Sequence, residues 1–165
     1  MDRREGGTGS GGGPRAPLPS EVRAEVLAQH EALRSRLAAA RLAAYEMLDG
    51  RPPAPALRDE VLRLAVEMEV HLGFEERMLA PVLAALDAWG PERAERLRTE
   101  HAKQRGELAA FVSCCDGDGW RARSFAERVR LFVVELLEDM AIEETLLLDP
   151  AVLRDDLVVP DQTDG

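Results

Sequence analysis

The chain has 165 residues and a mass of 18.1 kDa, enough for one domain with a single real core. Apolar residues make up 45%, which argues against a disordered chain. The 31 acidic against 21 basic residues leave a net charge of −10, which argues against binding to a phosphate backbone or an anionic membrane surface.

The bias toward Ala, Leu, Arg and Glu, with only 4% aromatics, predicts an all-α domain. No apolar run approaches the ~18 residues of a membrane span. Residues 1–19, "MDRREGGTGSGGGPRAPLP", form a Gly/Ser/Pro-rich tail that is expected to be flexible. It has no apolar stretch of the secretory kind, so a cytoplasmic location is expected. Adjacent Cys114 and Cys115 make no disulfide framework, which fits a reducing compartment.

Four amphipathic segments follow in chain order. The first runs from about Ser20 to Leu48 and ends at "DG"; its stripe is Val22, Val26, His30, Leu33, Leu37, Ala40, Ala44 and Met47. The second runs from about Ala56 to Leu86, with Pro81 expected to kink or end it. Its stripe is Leu57, Val61, Leu64, Met68, His71, Glu75, Met78 and Val82. The third starts at "GPER", where Pro91 suits a first helical turn, and carries Ala94, Leu97, His101, Gln104 or Arg105, and Leu108. The fourth is expected to start at Ser124, which reads with Glu127 as a capping box, and to run to about Leu148. Its stripe is Phe125, Val129, Phe132, Leu136, Asp139 or Met140, Glu143 and Leu147. Steps of three and four residues with short connections predict an up-down-up-down antiparallel four-helix bundle over residues 20–150. Residues 151–165 read as a C-terminal tail that packs Val/Leu pairs before fraying.

The chain also echoes itself. "QHEALRSRLAA" (29–39) resembles "EHAKQRGELAA" (100–110): both have His, Arg four later, Leu seven later, then Ala-Ala. "HLGFEERMLAP" (71–81) resembles "DMAIEETLLLDP" (139–150). The bundle then reads as two related hairpins, with Asp139 in the place of His71 and Glu143 in the place of Glu75.

The only three histidines, His30, His71 and His101, all fall on the apolar stripe of different helices. Chance would do this in roughly 8% of cases for a stripe three-sevenths wide. A single such histidine is more often a hydrogen-bonded core residue than a ligand. Glu75, one turn from His71, adds a carboxylate to the same stripe, and bare carboxylates in cores need a partner or a metal. Asp139, Glu143 and Glu144 supply acids at matching depth on the fourth helix. Imidazoles and carboxylates converging in a bundle core suit Fe, Mn or Zn; without thiolates, a structural Cys-type zinc site is not expected.

His30, the H-x3-E of His71 and Glu75, His101, and the Glu143-Glu144 pair before "LLLDP" together resemble the hemerythrin-like, or HHE cation-binding, domains across residues 20–150. The resemblance implies a non-haem di-iron site in the core of a four-helix bundle and O2 or NO binding, sensing, or iron handling. It implies that His30, His71 and Glu75 serve one iron, with Glu75 bridging and Glu144 as the bridging acid of the fourth helix. The chain departs from the family at Arg105, where a second histidine of an H-x3-H pair is expected, and at Asp139, where a histidine is expected. The second half-site therefore reads as degenerate. Arg105, always protonated, is expected to replace the second metal and to pair with Asp139, Glu143 or Glu144. That picture gives one metal per chain, held by His30, His71, Glu75, His101 and Glu144.

Alternatives from other classes are a metal-free helical scaffold module and a small non-haem iron oxidoreductase. "CCDGDG" is expected to be a buried helix end and a turn, because the ligand pattern of a calcium loop is missing. No phosphate loop, Ser/His/Asp set or CxxC occurs in the sequence.

Overall fold

The computed structural model describes residues 15–50, 54–116 and 122–156. They form α1 (Pro19–Leu48), α2 (Ala54–Phe74), a π-helical turn (Glu75–Leu79), α3 (Ala80–Leu86), α4 (Gly90–Asp116) and α5 (Ala122–Leu146). The described residues contain no strand, and none of their helices is long and apolar enough to cross a membrane. The "DGDG" turn and most of the N-terminal tail lie outside the described residues.

Helix α1 starts one residue earlier than expected, with Pro19 in its first turn. The Glu21 carboxylate accepts from the Leu18 N–H at 2.7 Å and from Arg15 at 2.7 Å, so an acid in the first turn satisfies an otherwise orphaned donor. At its other end Gly50 takes φ 76°, a left-handed conformation that costs glycine nothing and stops the helix. Helix α5 begins at Ala122, so Ser124 is not the N-cap expected of it; Glu127 accepts from Arg123 at 3.2 Å instead.

Pro81 neither ends nor breaks its segment. Proline has no N–H for the carbonyl four residues back, and its ring crowds that carbonyl. The chain absorbs this upstream: the Ala80 N–H bonds Glu75 O, five residues away, and a π turn precedes the proline. The wider turn shifts the apolar stripe by one residue. Leu79 and Leu83 are buried, and the expected Met78 and Val82 are only half-buried.

Helix α1 packs on α2 and α5, α2 on α4, and α3 on α4. The buried apolar residues form two clusters. One holds Leu33, Leu37, Leu64, Met68, Leu108, Phe111 and Leu136 among others; the second holds Val22, Val26, Leu79, Leu83, Ala94, Leu97 and Leu148. Along α1 the break between clusters falls at His30, along the second segment at His71 and Glu75, along α4 at His101, and along α5 at Glu143. A polar layer thus divides the core.

Residues after α5 return to the start of α1. Leu153 is buried, and Asp155 accepts from the Ser20 N–H at 2.9 Å and from Ser20 Oγ at 2.7 Å. Part of the expected C-terminal tail therefore packs; residues 157–165 lie outside the described residues. Cys114 and Cys115 form no disulfide, and Cys115 is buried in the larger cluster at the end of α4, as the helix-end reading expects.

Candidate metal centre

The polar layer is buried. His30 is 0% exposed, Glu75 0%, His101 2% and His71 4%. Each histidine turns Nδ1 outward to an acceptor. His30 Nδ1 donates to Glu144 Oε1 at 2.8 Å, His71 Nδ1 to Gln29 Oε1 at 3.1 Å, and His101 Nδ1 to Glu76 Oε1 at 3.2 Å. A neutral ring that gives its Nδ1 proton keeps a lone pair on Nε2, which either a proton or a metal ion can take. All three Nε2 atoms face Glu75. His71 and His30 approach Glu75 Oε1 at 3.3 and 3.7 Å, and His101 approaches Oε2 at 3.0 Å. Glu143 Oε2 lies 3.6 Å from His30 Nε2, and the rings of His30 and His71 meet edge to face at 4.9 Å.

Lone pairs facing carboxylates repel unless a positive charge lies between them. The structure shows the deficit directly: His30 Nε2, both oxygens of Glu75 and Glu143 Oε1 are buried without a hydrogen-bond partner. An unpaired buried acceptor costs about 1–3 kcal/mol, and a charged one more. One ligand atom each from His30, His71, Glu75 and Glu143 lie within 4.8 Å of one another, the arrangement that could hold a metal ion. This donor set, nitrogen and oxygen without sulfur, fits a divalent transition metal.

Protonation reports the same demand. Burial by itself lowers the His30 pKa, but the carboxylates of Glu143, Glu75 and Glu144 outweigh it and push it up to about 10. His101 is likewise raised against its burial, by Glu75 and Glu76. His71 goes the other way, down to about 4, because burial and the two neighbouring imidazoles outweigh Glu75. Burial works against the ionised form of Glu75, but His101 and His30 hold its pKa below the usual carboxylate range. Burial and the charge of Glu75 raise Glu143, against the pull of His30.

Behind the inward residues stand two matching relays. Arg34 donates to Glu144 at 2.7 Å, and Glu144 holds His30. Arg105 donates to Glu76 at 2.5 Å, and Glu76 holds His101. In both, the arginine sits four residues after the histidine on one helix and the glutamate comes from another. Each relay glutamate directly follows an inward one: Glu75 then Glu76, Glu143 then Glu144. The internal echo of the sequence is therefore an echo of site construction.

Several expectations are corrected by this geometry. Arg105 does not pair with Asp139, Glu143 or Glu144; it reaches Glu69 at 2.9 Å and Glu76, because α4 turns that side chain toward the second segment. Gln104 is the buried member of its pair, and Met140 is buried where Asp139 is only half-buried. The converging group contains Glu143 and not Glu144, which accepts from His30 Nδ1 on the far side of the ring. Asp139 stands apart from the group and accepts from Gln104 Nε2 at 3.1 Å, across from α4 to α5. His101 is outside the four-residue group but touches it through Glu75. Sequence reasoning missed Gln29, Glu76 and Arg34. Their signals were present: Gln29 adjoins His30, Glu76 adjoins Glu75, and Arg34 belongs to the echoed His/Arg spacing.

The family model of the hemerythrin HHE cation-binding domain matches residues 22–151. The chain belongs to this family. The match spans all four segments and every residue of the polar layer. Among curated proteins and among solved structures, none matches the chain.

Proposed function

We propose that this HHE-domain protein holds a single non-haem iron in its core through His30, His71, Glu75 and Glu143, for O2 or NO binding or sensing or for iron handling. The observation that carries the reading is the set of buried, unpartnered acceptors converging between two apolar clusters. Imidazole and carboxylate suit manganese and zinc as well. Iron is preferred because the family resemblance implies it, and when bound it would supply reversible coordination of a diatomic ligand.

The chain's own residues have distinct tasks in this reading. His30 and His71 present Nε2 lone pairs, with Glu144 and Gln29 fixing their tautomers. Glu75 presents Oε1 toward these two rings and Oε2 toward His101. Glu143, not Glu144, supplies the inward carboxylate of α5. The second half-site is degenerate: His101 remains, Gln104 and Asp139 satisfy each other, and Arg105 serves Glu76. The domain is taken as residues 20–150, and the pairs Gln29–His71, Arg36–Glu60, His30–Glu144 and Arg23–Leu148 support an antiparallel up-down order.

The test is metal analysis of protein grown with iron, alongside the visible absorption spectrum. About one iron per chain is expected, and His71→Ala is expected to lose it. Protein that takes up no transition metal, or an H71A variant with unchanged metal content and thermal stability, overturns the reading. Two irons per chain overturn the degenerate half-site.

A further inference from the structure

A cavity of about 670 Å³ lies between α4 and α5 and reaches the polar layer, with His71, Glu75, His101 and Glu143 in its lining. These two helices are not among the closely packed pairs of the bundle; the hydrogen bond from Gln104 to Asp139 crosses the seam between them. A diatomic molecule needs a small fraction of this space. The volume matches sites for small organic molecules, about 300–1,000 Å³.

The inner walls are apolar: Met68, Leu72, Leu136 and Met140 line the cavity and belong to the larger core cluster. The mouth carries Ile142 and Leu146, which are 54% and 53% exposed. Its charges are unbalanced. Glu92, Glu95, Glu100 and Asp139 line it against Arg93 and Arg96, and Arg93 is already held by Asp87 at 3.0 Å. A divalent cation at the floor would be offset by Glu75 and Glu143, so it would not reverse this balance. An anion entering the slot meets an excess of carboxylate at low dielectric, which is unfavourable. Lysine is absent from the lining, so only the two arginines offset these acids, and the excess that repels an anion does not repel a cationic head group.

We propose that the α4–α5 slot binds a small organic molecule with an apolar body and no negative charge, placed against the core site as a substrate or effector. Its apolar body lies along Met68, Leu72, Leu136 and Met140, and a hydroxyl or similar group faces Gln104 and Asp139. Binding in the slot needs no metal; the placement of the ligand beside a metal rests on the function proposed above.

The experiment uses one eight-carbon chain with three head groups. Octan-1-ol, octanoate and octylammonium are titrated calorimetrically into the metal-free and the metal-loaded full chain. Saturable binding of octan-1-ol and of octylammonium is expected in both forms, with octanoate at least ~10-fold weaker, a difference of about 1.4 kcal/mol. Leu146→Trp and Ile142→Trp, both at exposed positions, are expected to weaken octan-1-ol by ~10-fold or more by filling the mouth. Val70→Trp, on the outer face of α2, is expected to leave binding unchanged, and circular dichroism checks that each variant is folded. No saturable octan-1-ol binding, octanoate binding equal to or tighter than octan-1-ol, or indifference to both mouth variants overturns the proposal. Metal content is measured on the same samples. A chain that binds octan-1-ol but no metal keeps the slot and loses the metal centre; one that binds metal alone does the reverse.

Discussion

Nε2 of each histidine faces Glu75 because Nδ1 is already committed, and that assigns the outer acceptors a measurable role. Glu144 and Glu76 fix tautomer and ring angle for His30 and His101 without entering the converging group. Partners of this kind typically account for 10–100-fold in metal affinity. Glu144→Gln is therefore expected to weaken metal by about that range, since His30 is in the group, and Glu76→Gln to weaken it less, since His101 reaches the group only through Glu75. Competition against a chelator of known affinity ranks the two; an equal or reversed order would remove the distinction. Proton linkage is a second consequence at this scale. The metal-free His30 has its pKa raised from 6.5 to about 10, so its stabilising charge is fully present below pH 6.5 and is lost as pH rises toward 10. Between pH 4.5 and 6.5, His71 and Glu143 pull in opposite senses: the lowered histidine favours folding as pH rises, and the raised carboxyl opposes it. The metal-free protein is thus expected to lose stability between pH 6.5 and 10 in thermal melts. Metal must displace the His30 proton, so apparent metal affinity should rise by about tenfold per pH unit over the same range.

Helices meet closely where α3 turns into α4. A Cβ on Gly90 would sit 2.9 Å from the Ala84 carbonyl oxygen and would clash harder with that of Leu83. Both obstacles are backbone, so neither can swing aside. Gly90→Ala is expected to cost about 1–3 kcal/mol, the usual range for overpacking, as read from urea unfolding. A wild-type midpoint in that variant would mean that α4 starts farther from α3 than the structure shows. The π turn has a different effect on its element. It lets one continuous segment carry Glu75 inward at the polar layer and still bury Leu79 and Leu83 beyond it, which a strict 3.6-residue repeat places one position off.

At the scale of the molecule, the two apolar clusters supply the burial, and the layer between them is a fault unless a cation fills it. Removing metal should therefore lower the melting temperature of the whole bundle. The loss should grow with the free metal concentration of the reference state, to about 4 kcal/mol at a thousandfold excess over Kd. A melting curve that is indifferent to chelator would mean the polar layer closes on protons alone.

The four helical segments, most of their inward faces and the depth of the three histidines were legible in the sequence, because burial of an apolar stripe imposes a 3.6-residue period that single residues obey locally. The resemblance to HHE domains was legible for the same reason: its residues are spaced along individual helices. Choices between adjacent residues were not. Glu143 and Glu144, Gln104 and Arg105, and Asp139 and Met140 differ by about 100° around a helix, and the pattern tolerates either member of each pair. Helix rotation against neighbours decides them, and here it brings Glu143 into the group, buries Gln104 and Met140, and sends Arg105 to Glu76. The π turn, the relays from Arg34 and Arg105, and the slot between α4 and α5 also belong to the tertiary structure. Each depends on how two or more helices approach, a distance that no single helix encodes.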